Sequence, residues 1–203
     1  DQSIFYLFII GLFSLIAFII MELKSKKPFI DLRVLAHNGA LNNTYIRSLL
    51  TAVISYSVLY GYVQWLEEGR GLTAAHAGLM MLPQFLVGIF MAQLTGTRLS
   101  IKFKLYLGTI CALITMIGFQ FIHADTPLWI LILLAAIFGV PQGLLNLANQ
   151  NALYHQAPKS MIGMSAGLLR TAMYIGAIVS STLISTLFKG DHITNGIHEL
   201  GLF

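Results

Sequence analysis

The first side chain that could do chemistry here is an arginine set inside an apolar segment. Arg170 stands within the run Gly167–Thr171. A charge at such a depth in a bilayer costs about 2.5 kcal/mol or more unless it is paired or hydrated. Arg170 therefore either faces a water-filled cavity or a carboxylate, or snorkels to the membrane interface on its long stem. The same two interpretations apply to Tyr174, one turn further along the same face.

A row of amides forms the second pattern. Gln142, Asn146 and then Asn149 or Gln150 recur at steps of three or four residues, which places them along one helical stripe. Pro141 precedes the stripe and is expected to bend the helix. Because amides are costly in lipid, the stripe predicts a polar cavity wall that binds substrate. The alternative is hydrogen bonding between helices.

Two tyrosines and a glutamine form a third pattern. Tyr56, Tyr60 and Gln64 stand at i, i+4 and i+8, on one helical face. Aromatic rings with polar tips suit flat, cationic, apolar ligands through stacking and cation–π contact. The alternative is ordinary packing with an interfacial aromatic belt. Gln84, beside Pro83, is a similar and weaker candidate.

The remaining ionisable and nucleophilic residues give no sign of catalysis. The eight acidic residues and the six histidines fall in predicted loops or at helix ends. The one cysteine, Cys111, excludes an internal disulfide, and no nucleophile–base pair or metal-ligand spacing is recognisable. A proton relay usually needs a carboxylate inside the membrane, and the sequence supplies none. It therefore predicts no enzyme, no cofactor and no metal site.

The elements that must position these side chains are long apolar helices. Of the 203 residues, 57% are hydrophobic and 10% are charged, against about 25% charged in ordinary soluble domains. Apolar blocks of about 18 or more residues are typical of bilayer-spanning helices. The sequence predicts an all-α membrane protein with about six transmembrane helices, at roughly 4–23, 44–65, 77–95, 105–122, 128–150 and 161–188.

The basic residues predict how the helices are oriented. They lie mostly between apolar blocks, so the net charge of +4 indicates a lipid bilayer as partner and no nucleic acid. One side of the predicted membrane carries only Arg70 and Lys189. Because Lys and Arg concentrate in cytoplasmic loops, loops one, three and five are expected in the cytoplasm. Those loops carry Lys24, Lys26, Lys27, Arg33, Arg98, Lys102, Lys104 and Lys159.

Pairs of small residues four apart predict close contacts between helices. Gly139 with Gly143, Gly163 with Gly167, and Gly176 with Ser180 have this spacing. Small residues allow two helix backbones to approach each other in a membrane.

Several stretches together resemble one transporter family. The run Glu22–Arg33 has an acid, basic residues, a proline and Asp-Leu-Arg, as in a cytoplasmic linker. Gly139–Gly143, Gly163–Gly167 and Arg170 followed by Thr171 match later glycine-rich and penultimate-helix motifs. The run Gly96–Phe103 takes the place of an acidic cytoplasmic loop but contains no acid. In order and spacing these stretches resemble the fourteen-helix major facilitator drug:proton antiporters of the EmrB/QacA type.

This resemblance implies a partial major facilitator fold. Residues 1–43 would be a linker transmembrane helix and a cytoplasmic connecting loop. Residues 44–203 would be an incomplete C-terminal bundle of about five spans, with its final helix missing. The missing N-terminal bundle of the same protein would be a partner, and in this family it is expected to keep most proton-coupling acids.

The resemblance also implies a function. The chain would be a fragment of a multi-pass secondary transporter in the bacterial inner (plasma) membrane, which exports small hydrophobic or cationic drugs in exchange for protons by alternating access. The proton gradient would be its energy source, without a cofactor. A non-transporting membrane scaffold or sensor is the alternative. The candidate substrate-binding residues are Tyr56, Tyr60, Gln84, Gln142, Asn146, Asn149, Arg170 and Tyr174.

Overall fold

The computed structural model describes residues 2–24, 37–96, 98–188 and 193–202, and every regular element in these ranges is helical. The chain divides into two compact units, Asp1–Asn43 and Thr44–Phe203. In the first unit, helix α1 runs from Gln2 to Lys24 and its described apolar side chains are mostly exposed. The predicted linker residues Lys26, Lys27 and Arg33 lie outside the described ranges.

The second unit contains a bundle of long helices. Helix α2 (Gly39–Gln64) begins in the first unit and continues beyond Gln64 as a π-helical turn, Trp65–Gly69. A short 3₁₀ turn, Lys159–Met161, leads into α6 (Ile162–Leu187). The helices are α2 (Gly39–Gln64), α3 (Ala74–Thr95), α4 (Ile101–Phe119), α5 (Leu128–Gln156), α6 (Ile162–Leu187) and the short α7 (Ile193–Leu200).

Five of these helices are long and apolar enough to cross a membrane, namely α2 to α6. This confirms the second to sixth predicted spans. Helix α1 (Gln2–Lys24) is not among these five helices, so the first predicted span stays a prediction. The observed helices extend several residues beyond the apolar blocks, as where α5 reaches Gln156, because backbone hydrogen bonding continues where hydrophobicity ends.

Local chemistry explains where α3 and α4 begin. The Thr73 hydroxyl accepts a hydrogen bond from the His76 amide at 3.4 Å, and the Ser100 hydroxyl accepts one from the Phe103 amide at 3.2 Å. Hydroxyl side chains at the N-cap satisfy amides that have no partner within the helix. Gly96 ends α3 with a φ of 27°, a backbone conformation that disfavours residues with a Cβ.

A buried lysine, Lys104, stabilises the turn between α3 and α4, which contains no acidic residue. Lys104 is fully buried, and its ammonium donates a hydrogen bond to the Gly96 carbonyl at the end of α3. The Asn151 amide on α5 donates to the same carbonyl at 3.5 Å. A positive charge is favourable at a helix C-terminus, where the helix dipole is negative. This contact gives the acid-free loop an anchor that the sequence motif did not predict.

Helices α3 and α5 pack backbone against backbone. A Cβ added at Gly139 would lie 2.8 Å from Val87 Cβ, and one at Gly143 would lie 3.0 Å from the Gly88 carbonyl carbon. Side chains at these positions would force the helices apart. The predicted close contact at Gly139 and Gly143 is therefore confirmed.

Helices α2 and α6 also approach closely. A Cβ at Gly176 would lie 2.7 Å from Ala52 Cβ, and the Ser180 hydroxyl donates to the Val53 carbonyl at 2.7 Å. The predicted contact at this pair is confirmed. At Gly163 and Gly167 the prediction of close packing was wrong for the described structure, because an added Cβ would meet no described atom within 4 Å.

Aromatic packing ties the end of α2 to α5. The Tyr62 hydroxyl donates to the Leu131 carbonyl at 2.9 Å. The Tyr62 ring stacks on Trp65 with centroids 6.2 Å apart and meets Phe119 at 5.4 Å. Because these three rings are almost fully buried, they form an apolar core beside the π-helical turn.

Candidate functional site

A cavity of about 730 Å³ lies between α2, α3, α5 and α6. Its volume is within the range of small-molecule sites. Most of its wall comes from α5 and α6, with one residue from α2. The lining residues are Ser48, Phe85, Gly88, Ile89, Ala92, Gln142, Gly143, Asn146, Leu147, Gln150, Leu153, Tyr154, Ala166, Gly167, Leu169, Arg170 and Met173.

The cavity brings together three of the predicted binding residues. Gln142 and Asn146 line it from α5, and Arg170 lines it from α6. Gln150 and the phenol of Tyr154 follow at the same four-residue spacing and also line the cavity. One face of α5 therefore presents polar groups to the cavity. For Arg170, this position matches the cavity interpretation.

Arg170 is exposed in the cavity, and the described part of the chain provides it with no counter-charge. None of the described carboxylates is among the lining residues, and no hydrogen bond or ion pair joins Arg170 to a described side chain. The described acids of the second unit are Glu67, Glu68, Asp125 and Glu199. The described lining residues therefore give the wall a positive charge.

Two buried amides are left with unused hydrogen-bonding atoms. Gln84 is fully buried in α3, and neither its amide oxygen nor its amide nitrogen has a partner among the described residues. The Gln142 amide oxygen is likewise buried and unpaired there. Unpaired buried polar atoms cost roughly 1–3 kcal/mol each and call for an explanation such as a water molecule or a ligand. Gln84 itself does not line the cavity.

The amide of Asn146 has a partner within its own helix. Its nitrogen donates to the Gln142 backbone carbonyl at 2.9 Å. This bond orients the side chain and leaves its oxygen as an acceptor. Asn146 is half-buried on the cavity wall, so the oxygen is suited to receive a hydrogen bond from a bound molecule.

Asn149 lies in a polar contact between α2 and α5 instead of in the cavity. It is 1% exposed, and its oxygen accepts a hydrogen bond from Arg47 Nε at 2.6 Å. Its nitrogen donates to the Thr51 hydroxyl at 3.5 Å. Arg47 also donates to the Thr44 hydroxyl at 3.3 Å, and that hydroxyl donates to Gln156 at 2.7 Å. For Asn149 this geometry favours the alternative of hydrogen bonding between helices.

The predicted tyrosines lie elsewhere. Tyr56 and Tyr60 face each other with ring centroids 5.7 Å apart and planes inclined by 32°. Tyr60 is 40% exposed and Tyr174 is 60% exposed. None of the three is among the described cavity-lining residues. Their roles in binding stay predictions.

Sequence reasoning missed several members of the site. Ser48, Phe85 and Tyr154 line the cavity but have no unusual spacing of their own. Arg47 carried a signal, because it stands inside an apolar block. Its partner Asn149 could not be identified without knowing that α2 and α5 are neighbours.

Residues 2–181 match the Major Facilitator Superfamily. The chain is 32% identical over 191 residues to YwoD of Bacillus subtilis, described as an uncharacterized MFS-type transporter, with 92% of this chain and 42% of the relative covered. It is 27% identical to a tetracycline resistance determinant of Streptomyces rimosus, covering 90% of this chain and 53% of that protein. It is 24% identical to the methyl viologen resistance protein SmvA of Salmonella typhimurium, covering 86% and 36%.

The chain therefore spans about half or less of the length of these relatives.

Proposed function

The chain belongs to the Major Facilitator Superfamily, and on this premise we propose that it is the C-terminal part of a fourteen-helix drug:proton antiporter of the EmrB/QacA type. The observation that carries the proposal is the cavity of about 730 Å³, whose wall combines apolar side chains with Gln142, Asn146 and Arg170. The resistance proteins among its relatives support the export of drugs. On this proposal the protein is a multi-pass component of the bacterial inner membrane.

The mechanism we propose is alternating access. A transporter of this kind exposes one central site to either side of the membrane by rocking two helical bundles against each other. This chain would form one wall of that site, and a second bundle of the same protein would form the other. Hydrophobic drugs would enter from the bilayer or the cytoplasm and contact Phe85, Ile89 and Met173.

Proton coupling requires groups that change protonation inside the membrane. The described carboxylates of the second unit lie in the π-helical turn, in a loop and in α7, and the cavity lining contains none of them. We assign the coupling acids to the other bundle. The proton gradient is then the energy source, and the transporter works without a cofactor.

The alternative is a non-transporting membrane scaffold or sensor. The two differ in whether a compound moves against its gradient. The test is export from energised bacterial cells that express the full-length gene, with a panel of hydrophobic dyes and antibiotics, each measured with and without a protonophore. We expect export that the protonophore abolishes. Expression at normal abundance with no export of any compound would instead favour the scaffold or sensor.

A further inference from the structure

The cavity also indicates which substrates this wall holds, an inference that rests on the proposed function. We propose that Arg170 binds an anionic group of the substrate, so that the transporter handles apolar organic acids better than apolar cations of the same shape. Sequence reasoning pointed toward cations because of Tyr56 and Tyr60. Those tyrosines do not line the described cavity, whereas the cationic side chain does.

The charge of Arg170 is permanent, because a guanidinium does not lose its proton in proteins. It is exposed in the cavity and makes no ion pair with a described residue. It is thus free to bind an incoming anion through its planar fork of donors, which matches a carboxylate in two parallel hydrogen bonds.

Of the described acids of the second unit, Glu67, Glu68 and Asp125 lie far from the cavity along their own segments, and Glu199 lies in α7, which contributes no lining residue. On α2, Ser48 lines the cavity, whereas Glu68 stands twenty residues later, a distance of about 30 Å along a helix. Asp125 lies in the loop that precedes α5, and the first residue of that helix, Leu128, is about 21 Å along the helix axis from Gln142. Among the described residues of the second unit, no carboxylate therefore offsets the positive charge that Arg170 gives to the wall.

The surroundings of Arg170 suit an amphipathic acid. Phe85, Ile89 and Met173 provide apolar surface. Gln150 and Tyr154 add donors on the α5 wall, and both are exposed. A molecule with an apolar ring system and one carboxylate would contact the apolar side chains and Arg170 together. A cation of the same shape would instead be repelled by the charge of Arg170.

The test uses two xanthene dyes of similar shape and opposite charge, the anionic fluorescein and the cationic rhodamine 123. The full-length transporter is assayed in energised inverted vesicles, with a protonophore giving the background. We expect Arg170→Gln to lower fluorescein transport about tenfold, as for the loss of one charge-assisted contact, and to leave rhodamine 123 transport unchanged or raised. Arg170→Lys should keep part of the fluorescein transport because it keeps the charge.

The matched control is Lys102→Gln, which removes an exposed cation at the start of α4, outside the cavity lining. It should change the transport of neither dye, and size-exclusion profiles should show that all variants are folded.

An equal loss of transport of both dyes in Arg170→Gln would mean that Arg170 pairs with an acid of the other bundle, and would overturn the inference. If the wild-type protein transports rhodamine 123 but not fluorescein, the inference is overturned and the proposed function stands. If it transports no compound at all, both the inference and the proposed function are overturned.

Discussion

At the scale of single residues, the contact between Arg47 and Asn149 shows how a half-buried charge is stabilised without a carboxylate. Arg47 donates to the Asn149 amide oxygen at 2.6 Å and to the Thr44 hydroxyl at 3.3 Å. Hydrogen bonds to a charged donor contribute more than neutral ones. The bond joins α2 to α5, so it should contribute to stability and not to substrate choice.

We expect Asn149→Ala to destabilise the protein by about 1–3 kcal/mol, because Arg47 is left without its acceptor. The measurement is the unfolding midpoint of the purified protein in detergent. The neighbouring Gln150→Ala is the control, since Gln150 is exposed on the cavity wall and should change stability by less than about 0.5 kcal/mol. Equal midpoints for the two variants would show that the Arg47 contact does not stabilise the helix pair.

At the scale of helices, the approach of α3 to α5 depends on the absence of side chains at Gly139 and Gly143. Both glycines face the α3 backbone near Gly88. The α3 backbone at Gly88 cannot change its rotamer as a flexible side chain can. An added methyl group must therefore push one helix outward. This movement would also change the cavity, which α3 and α5 both line.

We therefore expect Gly143→Ala to cost about 1–3 kcal/mol or more and to lower the folded yield. Gly163→Ala serves as the control, because its Cβ would meet no described atom within 4 Å and alanine favours a helix over glycine. Folded yield by size-exclusion chromatography and thermal unfolding in detergent would measure both. Similar behaviour of the two variants would contradict the close contact between backbones.

At the scale of the whole molecule, the orientation in the membrane follows from the basic residues. The loop between α3 and α4 and the one between α5 and α6 carry Arg98 and Lys159, and both are exposed. The loop between α4 and α5 contains the exposed Asp125 and no Lys or Arg. Lys and Arg are retained on the cytoplasmic side, so the first two loops should be cytoplasmic and the third external.

Cysteine labelling of intact cells tests this orientation, after Cys111→Ser removes the native thiol. An impermeant maleimide should label Asp125→Cys strongly and leave Lys102→Cys and Lys159→Cys unlabelled until the cells are opened. Strong labelling of Lys102→Cys in intact cells would show that this loop is external and would contradict the predicted topology.

The sequence by itself predicted the class of protein, about six apolar spans, of which the structure confirms five, and the candidates for its polar site. These follow from local properties. A run of apolar residues is costly to leave in water wherever it occurs, and residues spaced by three or four lie on one face of any helix. Gln142, Asn146 and Arg170 were found in this way, and so was the contact at Gly139 and Gly143.

Only the tertiary structure decided which candidates share a cavity. Asn149 and Asn146 are both amides on the polar side of α5, yet one bonds Arg47 and the other lines the cavity. Asn149 stands three residues after Asn146, which places the two side chains about 60° apart around the helix axis, enough to turn one from the cavity to a neighbouring helix. Which neighbour it meets depends on packing between segments that are distant in the chain, such as Arg47 and Asn149, and a pattern within one helix carries no information about that packing.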